Sequence, residues 1–183
     1  IQDNSNKEGY NKTLLSLYRQ TFEDFEIFLS ASSSENLNIY KKDERLKILT
    51  FKKNCPNFKR KNSILEKIKS KYVLFLNEGD YLSSNALFKM FQKAEKNYTD
   101  IVISKEENSK LSLKEGFYKY DLNTFDISNK SLCGKLYKKE IIEENKIKFI
   151  DNSDETFFFM YMPFVFNAYY FDEILYLNNK NIK

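Results

Sequence analysis

Any acid, base or nucleophile in this chain is an Asp, Glu, Lys, Tyr or Cys, because histidine is absent from all 183 residues. Ser-His-Asp triads, Cys-His proteases and zinc or iron sites that need imidazole are thereby excluded. The only two cysteines, Cys55 and Cys133, lie far apart and outside any C-x-x-C spacing, so neither a zinc site nor a disulfide framework is expected. Acidic residues gather at two informative places. Glu78 and Asp80 flank Gly79 in Asn77-Glu78-Gly79-Asp80, and Asp154-Glu155 precedes the aromatic block Phe157-Phe158-Phe159-Met160-Tyr161-Met162. The first reads as a turn at a strand end with Gly79 at positive φ. The second suits a helix N-terminus, where the dipole favours carboxylates.

The elements that must position these residues can be read from periodicity. Ser5 and Glu8 have capping-box spacing ahead of Tyr10, Leu14, Leu17 and Tyr18, which predicts an amphipathic helix ending near Gln20. A strand is predicted over Phe25–Leu29, then a polar loop at 30–36, a strand over Lys47–Phe51 and a helix over Asn62–Lys69. Tyr72-Val73-Leu74-Phe75-Leu76 is nearly continuous in apolar residues, as expected of a central strand covered on both faces. Ser83 or Ser84 can cap a helix carrying Leu87, Phe88, Phe91 and Ala94, which returns to a strand at Ile101–Ile103. Residues 105–130 are polar with weak periodicity. Beyond them come a Lys135–Tyr137 strand, an aromatic helix near 155–166, apolar all round and so expected to be buried, and a strand region from Tyr169 to Leu177. Such alternation predicts an α/β fold with a mostly parallel central sheet flanked by helices, whose ligands bind beyond the carboxyl ends of the strands. The loops at 30–36 and 77–80 then lie where a site belongs.

Length predicts a single domain over 1–183, with 1–104 and 105–183 as its halves. Hydrophobic residues at 42% and charged residues at 31% point to a folded soluble body. Thirty basic against 26 acidic residues give +4, too mild and too evenly spread for a dedicated nucleic-acid binder, so no nucleic acid is expected as a partner. No apolar run approaches a membrane span and no basic flank leads into an apolar stretch at the start, which makes the cytoplasm the expected compartment.

Three segments carry a resemblance. Leu14-Leu15-Ser16-Leu17-Tyr18-Arg19-Gln20-Thr21-Phe22-Glu23-Asp24-Phe25-Glu26-Ile27 is similar to S-L-x-x-Q-T-Y-x-x-F-E-I, and Tyr72 to Leu82 is similar to Y-I-x-F-L-D-S-D-D-Y-L. Cys133-Gly134-Lys135-Leu136-Tyr137 with downstream Asp154-Glu155 completes the series. Over nearly the whole chain, their order and separations resemble the inverting glycosyltransferase family two, which has the nucleotide-sugar-binding GT-A fold. That family opens close to V-S-V-I-I-P-V-Y-N, and alignment places Ile1 at the end of this first strand, which implies a truncated first strand and a module of a longer polypeptide. The resemblance further implies a hexosyl-type transferase that moves a sugar from a nucleotide-diphosphate sugar donor to a glycan acceptor in bacterial-type surface polysaccharide synthesis. Its implied place is the cytoplasm, with peripheral association at the inner face of the membrane.

Residue roles follow from the same resemblance. Family members neutralise the departing diphosphate with a divalent cation, Mg²⁺ or Mn²⁺, held by a D-x-D motif. Here both positions of that pair are altered, and Glu78 with Asp80 keeps a carboxylate-x-carboxylate spacing shifted by one residue; these two are the implied ligands, with Asn77 beside them at the donor. The family's D-D-G-S donor segment corresponds to Ala31-Ser32-Ser33-Ser34, where Ser32 can accept one hydrogen bond from the base, or where the serines form a solvated loop. Its P-V-Y-N corresponds to Gln2-Asp3-Asn4-Ser5, which puts Asn4 at the donor. Lys61-Asn62 matches the arginine-asparagine of the family's helix start, where a cation can face the diphosphate; the residues by themselves read as a surface lysine and a helix cap. Lys135 matches the lysine of K-L-Y. The family's E-D pair is swapped to Asp154-Glu155, implying Glu155 as the general base for the acceptor hydroxyl with Asp154 next to it. The altered motifs also support a second reading, a catalytically inactive GT-A-like module with a binding or structural role in a larger protein.

Overall fold

The computed structural model describes residues 7–32, 43–107, 113–119 and 131–179. Its first half runs α1 (Lys7–Tyr18), β1 (Ile27–Ala31), β2 (Leu46–Thr50), α2 (Asn57–Leu65), β3 (Tyr72–Leu74), β4 (Tyr81–Leu82), α3 (Ala86–Glu95) and β5 (Ile101–Ser104). The second half adds β6 (Gly116–Lys119), β7 (Lys135–Lys138), α4 (Lys139–Glu144), α5 (Asp154–Tyr161), β8 (Asn167–Phe171) and β9 (Tyr176–Leu177). The α/β class is as expected, but the central sheet is mixed rather than mostly parallel. Its order is β3-β7-β5-β8-β6; β5 and β8 pair in parallel, while β3 with β7, β5 with β7, and β6 with β8 are antiparallel. Alternation along the chain does not say which strands become neighbours. β3 and β5 run in the same direction but leave room between them, and β7 arrives from the second half to fill it in the opposite sense, Tyr137 lying opposite both Val73 and Ile101. β1 and β2 form a separate parallel pair, and β4 with β9 a short antiparallel one.

Side chains alternate across the sheet, so each strand feeds two cores. Ile101 and Ile103 join Val73, Tyr137, Phe157 and Tyr161 on one face, while Val102 joins Leu14, Leu82, Met90 and Tyr169 on the other. Side chains as fully enclosed as Leu14 and Phe157 each contribute roughly 1.5–3 kcal/mol of apolar burial. The aromatic helix is shorter and less enclosed than its composition predicts. Pro163, which has no N–H to donate, stands just beyond α5 in a 3-10 turn at Met162–Phe164, and Phe159 on the outer face is 44% exposed. α2 begins at Asn57 behind Pro56, five residues ahead of the expected start. Among the described residues, no helix is long and apolar enough to cross a membrane.

Candidate functional site

A polar stripe on α1 holds the turn that follows β3. The Gly79 amide donates to the Thr13 hydroxyl (2.9 Å) and to the Gly9 carbonyl (3.1 Å), and the Leu82 amide donates to Ser16 Oγ (3.3 Å). Gln20 donates to the carbonyls of Ser16 and Ser83 (3.0 and 2.7 Å) and accepts from the Leu87 amide (3.0 Å). The glutamine of the first resembling segment therefore joins α1 to the first turn of α3. Gly9 is small because Glu78 lies on it: an added Cβ would stand 2.6 Å from Glu78 Cγ.

The turn itself is closed from within. Asp80 is fully buried; one carboxylate oxygen accepts from the Asn77 amide (2.7 Å) and the Tyr176 hydroxyl (2.9 Å), the other from the Asn179 amide (3.2 Å). Burial raises its pKa above the ordinary carboxylate value, against the pull of those hydrogen bonds. Gly79 has φ 84°, and an added Cβ would meet the Asn179 carboxamide at 2.4 Å. A divalent cation held by Glu78 and Asp80 does not fit this arrangement. Asp80 spends both oxygens inside the protein, Glu78 is packed on α1, and the position between them offers no side chain. Among the described residues, no group of three or more acidic or cysteine side chains is placed to hold a metal.

Next to the turn lies a cavity of about 140 Å³ whose lining includes Ser30, Arg60, Lys61, Asn77, Cys133 and Asp154. Lys61 and Asp154 form an ion pair across it, with side chains only 18% and 30% exposed. Lys61 Nζ also sits 5.0 Å from the centre of the Phe149 ring. Asp154 is held there by the anchoring of α5. Phe157 stacks on Phe149 (centroids 4.2 Å, planes 17° apart), and the Tyr161 hydroxyl donates to the Asp100 carbonyl (2.7 Å) while accepting from the Lys138 amide (2.9 Å). Burial pushes the Cys133 thiol well above its ordinary pKa, so it stays protonated.

Lys61, Asn77 and Asp154 are thus brought together, and other expected residues are not. Glu155 is exposed and outside the cavity lining. Asn62 is a structural tie, its amide donating to the Phe149 carbonyl (2.8 Å) and accepting from the Phe149 amide (2.9 Å). Lys135 is buried beside Ser131, whose carbonyl accepts from Nζ at 2.5 Å, with Glu106 at 3.7 Å; burial brings its pKa down to about 8. Ser32 is exposed at the end of β1, while Ser30 lines the cavity. Asn4, Ser33 and Ser34 lie outside the described residues. Arg60 was not singled out beforehand. It closes the turn between β2 and α2 by donating to the carbonyls of Cys55, Lys52 and Lys53, a role that no local pattern announces.

A half-buried cation facing a carboxylate beside a strand end can recognise an anionic group and move a proton. The chain is 31% identical over 161 residues to the poly(ribitol-phosphate) beta-N-acetylglucosaminyltransferase TarP of Staphylococcus aureus (strain N315), covering 79% of this chain and 49% of that protein. It is 30% identical over 152 residues to the GalNAc(5)-diNAcBac-PP-undecaprenol beta-1,3-glucosyltransferase of Campylobacter jejuni, covering 74% of this chain and 49% of that protein. The chain thus spans about half the length of these two curated relatives. Among solved structures it matches S. aureus TarS 1-349 in complex with UDP-GlcNAc with a TM-score of 0.86, at 21% identity over 100% of this chain and 58% of that one, a likeness of fold. The pattern described as glycosyl transferase family 2 matches residues 6–171, and the chain belongs to that family.

Proposed function

We propose that this chain is the catalytic domain of an inverting, hexosyl-type glycosyltransferase of surface glycan assembly, working on a nucleotide-diphosphate sugar. The Lys61–Asp154 pair, facing Asn77 in one cavity, carries the reading. An incoming diphosphate competes for the Lys61 ammonium and so releases Asp154. The freed carboxylate takes the proton of the acceptor hydroxyl as its oxygen bonds to the anomeric carbon. The bond from that carbon to the phosphate oxygen breaks from the opposite side, and the nucleotide diphosphate leaves with its charge met by Lys61. Asp154 replaces Glu155 as the first choice of base because it faces the cavity. No step is routed through a divalent cation, since Glu78 and Asp80 do not form its site.

The names of the relatives suggest the acceptor class, a poly(ribitol-phosphate) chain or a lipid-linked glycan. Either acceptor would be met at the cytoplasmic face of a membrane, with residues 1–104 serving the donor and 105–183 the acceptor in one domain. Asn179 lying over Gly79 favours a second reading, an inactive binding or structural module. Calorimetric titration with UDP, with and without Mn²⁺, separates the two. Binding whose affinity does not depend on Mn²⁺ supports the transferase, and no binding at millimolar ligand by folded protein supports the module. In a transferase, Asp154→Asn lowers turnover roughly 10²-fold or more with little change in UDP affinity, and Glu155→Gln changes it far less; the reverse order returns the base to Glu155.

A further inference from the structure

Charge is even over the whole chain but not along the turn from β2 into α2. Residues 51–65 carry five cations, Lys52, Lys53, Lys59, Arg60 and Lys61, and no acid. Among the described residues Lys61 pairs with Asp154, and the other four form no ion pair. What two of them meet is an uncharged ring: Lys59 Nζ lies 6.0 Å from the centre of Phe58, and the Arg60 guanidinium 5.9 Å from that of Phe51. Arg60 gives the turn its shape. It is buried, and it draws the carbonyls of Lys52, Lys53 and Cys55 onto its guanidinium, while the Lys52, Lys53 and Lys59 residues stand exposed around it. α2 adds no negative charge, since Pro56 at its N-cap makes no side-chain cap bond and its first turn holds no acid. Cations at that end of a helix oppose the macrodipole, so the arrangement lowers stability unless an anion is present.

This basic ridge borders the cavity without belonging to it. Asn57, Arg60 and Lys61 line the cavity, whereas Lys52, Lys53 and Lys59 do not. The Phe58 amide donates to Asn152 Oδ1 (3.3 Å), two residues before Asp154, so the ridge runs up to the start of α5. We propose that Lys52, Lys53 and Lys59 form an exosite for phosphate groups of the acceptor, a phosphodiester-linked polyol chain that presents a hydroxyl to Asp154. The exosite rests on the transferase reading and narrows it to a polyanionic acceptor. A neutral sugar chain gains nothing from three ammonium groups without acid partners, whereas each phosphate placed among them releases counterions on binding. Flexible lysines act as point charges and impose no fixed docking geometry, which suits a repeating polymer that must shift by one unit at a time.

The test titrates a synthetic glycerol-phosphate oligomer, by calorimetry, into this chain and into a variant carrying Lys52→Gln, Lys53→Gln and Lys59→Gln. Affinity of the parent is expected to fall roughly tenfold between about 50 and 200 mM NaCl; the variant should bind at least about tenfold more weakly at the lower salt, with a flatter salt dependence. Exposed substitutions of this kind leave Tm nearly unchanged. UDP affinity, measured on both proteins without the oligomer, is expected to be equal, because the cavity lining is intact. No UDP binding by either protein overturns the transferase reading, and the acceptor role with it, whatever the oligomer does. Where UDP binds, unchanged oligomer affinity in the glutamine variant overturns the exosite alone. So does an uncharged dextran oligomer that binds as tightly as the phosphate one, or single-stranded DNA of matched charge that binds more tightly, since the ridge would then serve a neutral glycan or a nucleic acid.

Discussion

Lys61 and Asp154 balance each other in a half-enclosed cavity, and what either is worth depends on the other being present. Removing one leaves the remaining charge partly desolvated, whereas removing both leaves neither penalty. A cycle of Lys61→Met, Asp154→Asn and the double variant is expected to show coupling of about 1 kcal/mol in urea denaturation, the upper end of the range of exposed pairs. Additive effects would mean that the two do not interact in solution. Lys135 supplies the pH-dependent counterpart. Its folded pKa is about 8 against an ordinary 10.5, so between those values the unfolded chain holds more protons than the folded one and stability rises with pH. Below about 8 both states are protonated and the slope vanishes. Lys135→Met removes this contribution. The stability difference between the parent and Lys135→Met should therefore move in the parent's favour by up to about 3 kcal/mol across that window. A difference that stays flat with pH would show the ammonium to be better solvated than its burial indicates.

At the scale of elements, the sheet and the site meet through Gly134, which precedes β7 with φ 73° and whose missing side chain leaves room for the Tyr176 ring. An added Cβ would stand 2.3 Å from that ring, and the Tyr176 hydroxyl is a donor to Asp80. Gly134→Ala should cost at least about 2 kcal/mol, from left-handed backbone strain together with displacement of Tyr176, read as a lower urea midpoint with unchanged m. A loss below 0.5 kcal/mol, on the order of a surface substitution, would mean the ring moves freely. Most helices and strands were legible because apolar spacing reports local structure directly: α1, β1, β2, α3, β5 and β7 all overlap the predicted stretches. β6 was not, since Gly116–Lys119 alternates for only four residues within a polar stretch and takes its place from pairing with β8. The antiparallel insertion of β7 was equally hidden, because neighbour choice in a sheet is a long-range outcome. At the site, the resemblance implied a metal pair at Glu78 and Asp80, but no local pattern reveals that Tyr176 and Asn179 come back to occupy Asp80.

For the whole molecule, that return joins three distant segments at one turn. α1 contributes Gly9 and Thr13, the link after β3 contributes Asn77 to Asp80, and the chain around β9 contributes Tyr176 and Asn179. A cation entering between Glu78 and Asp80 would compete with the Tyr176 hydroxyl and the Asn77 and Asn179 amides for a carboxylate whose pKa is already raised by burial. Ligand binding to the folded state alone stabilises it by about 2.7 kcal/mol at a hundredfold excess over Kd, so even a 10 µM site would register in about 1 mM Mn²⁺ as a rise of several degrees in Tm. The expected shift with Mn²⁺ alone is none. UDP alone, drawn by Lys61, should raise Tm, and adding Mn²⁺ should not increase that rise. A clear shift with Mn²⁺ alone that Asp80→Asn abolishes would mean that the turn opens in solution and that the metal pair implied by the family resemblance is real.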